Sequence, residues 1–539
     1  MCIKSKIAFF AIIILFISGQ GQIQAQALSR ETNPKASIEK IATAMQLINY
    51  FYVEKVDQGK LAEDAIITML KELDPHSVYI SKKEVDDTNE PLVGNFDGVG
   101  IQFQLFHDTI MVISPVPGGP SEKLGILAGD KIVRINGADA FGSKITNSYV
   151  LEHLRGPKGT KVTVSILRKG QKDLLEYTIT RDKIPLNSID ATLMLTPDIG
   201  MIKLSRFART SMDEFHESLA KLKKAGMKSL ILDLRGNSGG YLDVAVDLAD
   251  QFLPADKLIV FTEGMSSPKQ EFRATFQGGF ETGKLVILID EGSASASEIV
   301  SGAVQDWDRG LIIGRRSFGK GLVQRPYMLP DSSMIRLTTA RYYTPSGRCI
   351  QKSYKDGADK YYEDVYKRFK HGEFIHADSI HLPDSLRYFT GNKRTVYGGG
   401  GIMPDIFIPL DTTFNSKYYT DLWRKGLLNE FSTQYIDDNR KTLVQQFPNA
   451  ATFVDNFVFD DKLLNQFVEF ADKKGVSRDE KGLELSGKEI RYVIKGLIAR
   501  SLFNVDAYFQ VISGIDDEMQ KAVEMINDGS SFKKLAGIK

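Results

Sequence analysis

The chain has 539 residues, 42% of them hydrophobic and 25% charged, and a net charge of +1. That length exceeds what one core organises and implies roughly two to four domains. The near-neutral balance lacks the basic excess that nucleic-acid binding leaves, which excludes nucleic acid as an expected partner.

Lys4 and Lys6 precede an apolar run from Ile7 to Ile17 and then Ala25-Gln26-Ala27, the layout of a cleaved secretory signal with a mature start near Leu28. The run is too short to span a bilayer, and no later stretch is long and apolar enough to do so. The expectation is an exported protein without a bilayer-spanning segment. Of two cysteines, Cys2 leaves with the signal and Cys349 remains alone, so no intrachain disulfide or cysteine-based zinc site is expected. Apolar residues at helical spacing from Ser37 to Leu73, among them Ile38, Ile41, Met45 and Ile48, predict a small helical domain that Pro75 ends. From about 91 to 182, short apolar runs punctuated by glycine, such as Gly98 to Phe103, Met111 to Ile113, Lys131 to Ile135 and Val162 to Ile166, predict a compact β-rich module. From Ile199 to about Leu410 the strands Gly200 to Leu204, Ser229 to Leu234 and Leu285 to Ile289 alternate with helices near 211 to 225, 241 to 253 and 296 to 308, an α/β layout. Beyond Thr412 the pattern is helical, without visible chemistry.

Three segments of the α/β part carry candidate chemistry. Glu291-Gly292-Ser293-Ala294-Ser295-Ala296-Ser297-Glu298 follows a buried strand and opens a helix, so a serine can project while amides at the helix start face an incoming oxyanion. Taken alone, the segment reads more readily as a loop in which Ser297 and Glu298 cap the helix. Ser317 to Gln324, read as a strand, places Lys320 and Gln324 on one face. A buried neutral lysine there can take the serine proton, and Gln324 can orient it. Asp233 to Gly240 leads from strand to helix through glycines whose amides can complete the oxyanion hole with Ala296. Gly314 to Gly321 imitates a phosphate-binding loop, but Gly321 stands where that loop requires Ser or Thr, which leaves a nucleotide hydrolase as a distant alternative. The seven histidines (76, 107, 153, 216, 371, 376 and 381) include no metal-spaced pair.

Together with Leu73-Asp74-Pro75-His76-Ser77 and Leu154-Arg155-Gly156-Pro157-Lys158-Gly159-Thr160, these segments resemble the carboxy-terminal processing (tail-specific) proteases, Ser-Lys serine peptidases with an inserted PDZ domain. The resemblance implies an α/β multidomain fold: signal 1–27, N-terminal helical domain 28–85, PDZ domain 86–183, β-rich α/β peptidase core 184–411 with an insertion at about 352–395, and C-terminal helical extension 412–539. It implies Ser295 as nucleophile, since the family separates serine and lysine by 25 positions, with Lys320 as base and Gln324 orienting it. It also implies an oxyanion hole from Ala296 with Gly239 or Gly240, and a nest of amides at Gly98, Val99, Gly100 and Ile101 for a substrate's terminal carboxylate. The expected activity is endopeptidase cleavage of proteins with accessible C-terminal tails, through an acyl-enzyme and with no metal or other cofactor. The expected place is the periplasm, with inner-membrane association left open, and the N-terminal helices are the implied homodimer contact. The rival reading is a catalytically silent PDZ scaffold that binds tails without cutting them.

Overall fold

The computed structural model describes residues 34–106 and 108–535. The expected signal 1–27, Cys2 and His107 lie outside the described residues. Among the described residues, no helix is long and apolar enough to cross a membrane.

The chain divides into two units at Leu73/Asp74. The first carries helices Pro34–Phe51 and Gln58–Lys71, the second of them capped by Asp57, whose side chain accepts from the Lys60 amide at 3.1 Å.

In the second unit, the β-rich module is the sheet of strands Ile101–Phe106, Thr109–Pro115, Lys131–Ile135, Lys161–Leu167 and Leu175–Thr180, with the short Ala138–Asp139 paired beside Lys131–Ile135 and helix Asn147–Leu154 packed near it. Its core is Ile110, Val112, Ile132, Ile135, Val150, Val162, Val164 and Ile166. The Gly98 to Ile101 turn enters the edge strand of this sheet.

The α/β part is built on a six-stranded sheet in the order Ile189–Met194, Ile199–Leu204, Ser229–Asp233, Leu285–Ile289, Leu311–Gly314 and Ile406–Phe407. The first pair is antiparallel and the rest run parallel. Strands of the type Leu-Val-Ile-Leu-Ile are apolar on both faces and need cover on both. One face, with Leu230, Leu232, Ile287 and Ile289, packs on helices Ser211–Lys224, Leu242–Asp250 and Ala296–Asp306. The other, with Ile231, Val286, Leu288 and Ile313, is covered by Met519, Ala522, Ile526 and Leu535 of the last two helices, Asp517–Asp528 and Ser530–Leu535. Between residues 417 and 512 six helices form a separate core around Phe431, Phe453, Phe467 and Ile494.

A second sheet stands beside the first. Its long strand Met334–Tyr343 pairs with Val78–Ile80, with Leu322–Met328 and with Leu258–Gly264, which in turn pairs with Ser267–Arg273. The ribbon Leu322–Met328 starts two residues after Lys320 and shifts register between Val323 and Gln324. Even spacing therefore does not set Lys320 and Gln324 on one face, contrary to the expectation of a strand over 317–324. Gly319 turns with φ +90° and Gly321 packs against the Gln351 backbone, which keeps 317–321 irregular.

Candidate active site

Three neighbouring parallel strands, Ser229–Asp233, Leu285–Ile289 and Leu311–Gly314, each end in one of the three segments singled out in the sequence. Segments that leave the carboxyl ends of adjacent parallel strands meet in one crevice.

The serine turn is held by its neighbours. Ser293 is fully buried, and its Oγ donates to the Leu234 carbonyl at 2.8 Å and accepts from the Asp290 amide at 3.0 Å. Ser297 is equally buried, its Oγ donating to the Asn237 carbonyl at 2.8 Å. Both hydroxyls are committed to the turn. Ser295 lies between them, half-exposed, with φ 55° and ψ −110° at the start of helix Ala296–Asp306. A non-glycine residue there costs on the order of 1–3 kcal/mol and persists only where the surroundings enforce it.

The enforcing group is Glu298. One carboxylate oxygen, Oε2, accepts the backbone N–H of Ser295 at 2.8 Å and that of Lys320 at 2.9 Å. The other, Oε1, accepts the Gly319 N–H at 2.7 Å and the Ser317 hydroxyl at 2.5 Å. Burial raises the Glu298 pKa above the ordinary carboxylate value despite these bonds. The Tyr342 hydroxyl lies 3.0 Å from the Ser295 carbonyl and 2.7 Å from that of Lys320. One oxygen thus bridges the amides of the serine and the lysine, and one hydroxyl bridges their carbonyls.

The Lys320 amine is pushed down to about 8, by burial first and then by the Arg336 charge, with Glu298 and Asp74 acting in the opposite sense. Among the described residues it forms no ion pair. His76 is pushed down to about 4 by burial and the Lys320 charge, and its Nε2 lies 2.9 Å from the Tyr361 hydroxyl. Tyr361 belongs to the helix Ala358–Lys370 in the 352–395 insertion, which packs its Lys352 over Phe318 and Tyr361. Gln324 donates from Nε2 to the Thr338 hydroxyl at 3.3 Å.

Gly239 sits so close to the serine turn that a Cβ there would lie 2.9 Å from Ser295 Cβ and from the Ala294 carbonyl. Its own N–H is spent on Asn237 Oδ1 at 2.9 Å. Among the described residues the N–H groups of Gly240 and Ala296 have no such acceptor. Behind this turn Arg235 is bidentate to Asp233 and also reaches Asp516 and Glu518 of the C-terminal segment. Glu518 also pairs with Arg315, which holds Glu291 at the start of the serine turn. Arg235 and Lys203 outweigh burial and hold the Asp233 carboxyl well below its usual range.

In the β-rich module the Val99 carbonyl accepts the Ser121 hydroxyl at 2.6 Å and the Gly100 carbonyl accepts the Val116 amide at 2.9 Å. The loop Gly98 to Ile101 is thus pinned by its carbonyls, while the Val99 and Gly100 N–H groups have no acceptor among the described residues.

The sequence reading missed Glu298 as a bridge, Tyr342, Asp74 with Thr338, and the Asp516 and Glu518 carboxylates. Glu298 alone had a local signal, three residues after Ser295, and it suggested only a helix cap.

Family models match in four places: peptidase family S41 at 198–358, a PDZ domain at 98–179, the activating protease CtpB N-terminal domain at 6–84 and a family of unknown function at 418–504. A carboxy-terminal-processing protease of Bartonella bacilliformis is 35% identical over 352 residues, 64% of this chain and 80% of that protein. The chain belongs to the carboxy-terminal processing proteases of peptidase family S41. The carboxy-terminal processing protease CtpA of Bacillus subtilis is 32% identical across 67% of this chain and 78% of its own. A solved photosystem II D1 C-terminal processing protease is 24% identical, covers 69% of this chain and 93% of that one, and has a TM-score of 0.35. This chain is thus a serine-type peptidase with a PDZ domain.

Proposed function

We propose that this carboxy-terminal processing protease cleaves peptide bonds through an acyl-enzyme on Ser295, with neutral Lys320 as general base. The observation that carries this reading is the double bridge, Glu298 Oε2 across the two amides and Tyr342 Oη across the two carbonyls, which holds serine and lysine side by side. Lys320 takes the Ser295 proton as Oγ attacks the substrate carbonyl, and returns it to the leaving amine. Gln324 orients the lysine. The N–H groups of Ala296 and Gly240 receive the oxyanion, Gly240 in preference to Gly239 because the Gly239 amide is already bonded. Water then attacks the ester, again with Lys320 accepting its proton. The substrate's terminal carboxylate docks on the amides at Gly98, Val99, Gly100 and Ile101. The protein acts after export, in the periplasm.

The test is cleavage of fluorescently labelled casein by wild type, Ser295→Ala and Lys320→Ala, with intact-mass spectrometry of the enzyme during turnover. The expected result is loss of activity by at least roughly 1,000-fold in both variants and a covalent adduct on wild type only. Equal cleavage by all three proteins would sink the proposal.

A further inference from the structure

We infer that Asp74 is a positioning residue for Lys320, fixing through Thr338 which end of the Gln324 amide faces the lysine; this rests on the serine-lysine reading above.

The strand Met334–Tyr343 brings the partners together. Val78 pairs with Arg336 on it, which carries the Asp74 to Ser77 turn alongside, while Gln324 pairs with Thr338 itself. Asp74 Oδ1 accepts the His76 amide at 2.8 Å, the Ser77 amide at 3.0 Å and the Thr338 hydroxyl at 3.0 Å, and Oδ2 accepts the Ser77 hydroxyl at 2.6 Å. Ser77 repeats the same polarity, since its hydroxyl donates to Asp74 and accepts the Thr338 amide at 3.1 Å.

A carboxylate only accepts, so the single Thr338 hydroxyl proton is directed to Asp74. Thr338 Oγ1 can then only accept from Gln324. The hydrogen-bond network thereby decides the orientation of the Gln324 amide, with N–H toward Thr338; with Gln324 orienting the lysine as in the proposed function, it is the carbonyl oxygen that is left to do so. The difference is chemical. A carbonyl oxygen accepts one lysine N–H and leaves the nitrogen lone pair for the Ser295 proton. A reversed amide offers an N–H donor to that lone pair and competes with the serine.

The charged groups acting on Lys320 come from three directions: Arg336 on the long strand, Glu298 on the serine helix, and Asp74 on the turn, where the neighbouring His76, pushed down to about 4, is neutral when the lysine titrates. Asp74 favours the ammonium form, so removing its charge moves the lysine ionisation to lower pH. That shift reads the Asp74 charge at the lysine; the positioning through Thr338 is read separately by Thr338→Val against Thr338→Ser, which leave the Asp74 charge in place, the first without the hydroxyl and the second with it.

The experiment is the pH dependence of kcat and KM for labelled casein in Asp74→Asn, Thr338→Val, Thr338→Ser and Lys320→Ala, with folding followed by circular dichroism. Asp74→Asn is expected to lower kcat roughly 10- to 100-fold, the scale at which misplacing a catalytic group is felt. KM should stay near wild type, and the rising limb of kcat/KM should shift to lower pH. Thr338→Val should lose kcat to a similar degree, and Thr338→Ser should keep it. A kcat loss with an unmoved limb, wild-type kcat in Asp74→Asn and Thr338→Val, or Thr338→Ser falling as far as Thr338→Val overturns the inference. If Asp74→Asn does not fold, the Thr338 pair decides. An active Lys320→Ala overturns the serine-lysine reading itself, whatever the Asp74 result.

Discussion

Lys320 works against the fold that holds it. Burial disfavours its ammonium form, so the unfolded chain, with an ordinary lysine near 10.5, binds this proton more tightly than the folded chain, where the amine titrates at about 8. Between those two values the unfolded state keeps a proton that the folded state has released, and stability climbs with pH across that window. Below pH 8 the folded chain carries the full cost, about 3 kcal/mol by the conversion of pKa shift into free energy. Lys320→Met should therefore stabilise the protein at pH 7 while abolishing activity, and the gain should fade as the pH is raised toward 10.5. Urea denaturation at pH 7 and pH 10 reads this; a Lys320→Met protein less stable than wild type at pH 7 contradicts it. The serine turn, the lysine and the glycine pair were visible in the sequence because each is a local string of unusual small residues. Asp74, Thr338 and Tyr342 were not, since each acts across more than 20 positions of sequence through a strand pairing that no local pattern announces.

At the scale of elements, the last two helices are part of the peptidase core. Strands Ser229–Asp233 and Leu285–Ile289 are buried on both faces, while the helices between 211 and 306 cover one face alone. The uncovered face was the legible sign that another element must return to the sheet. What the sequence hid was which one, because the amphipathic patterns after residue 412 look alike, and those up to residue 512 belong to a different core. Ile526 is almost fully buried against this face, so Ile526→Ala should cost roughly 2–5 kcal/mol. Glu518→Ala leaves Arg235 and Arg315 short of a buried carboxylate and should cost roughly 3–5 kcal/mol. Because those arginines brace the glycine turn and the serine turn, Glu518→Ala should also lower kcat, where Ile526→Ala should not at temperatures where it stays folded. Thermal melts and kcat measured side by side separate the two effects. A Glu518→Ala enzyme with wild-type kcat would show that the tail covers the sheet without bracing the turns.

Across the second unit, the PDZ domain is tied to the helical extension as well as to the peptidase core. Arg500 donates to Gln102 at 2.8 Å and Lys169 pairs with Asp438 at 2.8 Å. The first bond joins the strand that follows the Gly98 to Ile101 loop, and the second the turn after strand Lys161–Leu167, to the segment 418–504, which matches a family of unknown function. Alternating strands and helices revealed the α/β class and the β-rich module, and the resemblance supplied their identity. The interplay of PDZ domain and extension was beyond local patterns, since single polar residues far apart in sequence make it. What unites the molecule is the claim that a neutral lysine activates Ser295, and the pH dependence of kcat/KM for the wild-type enzyme on labelled casein tests it most directly. The rate should rise through one ionisation with a midpoint near 8 as Lys320 loses its proton. A rate that is flat through that region, or that falls steadily above neutrality, would contradict a lysine base.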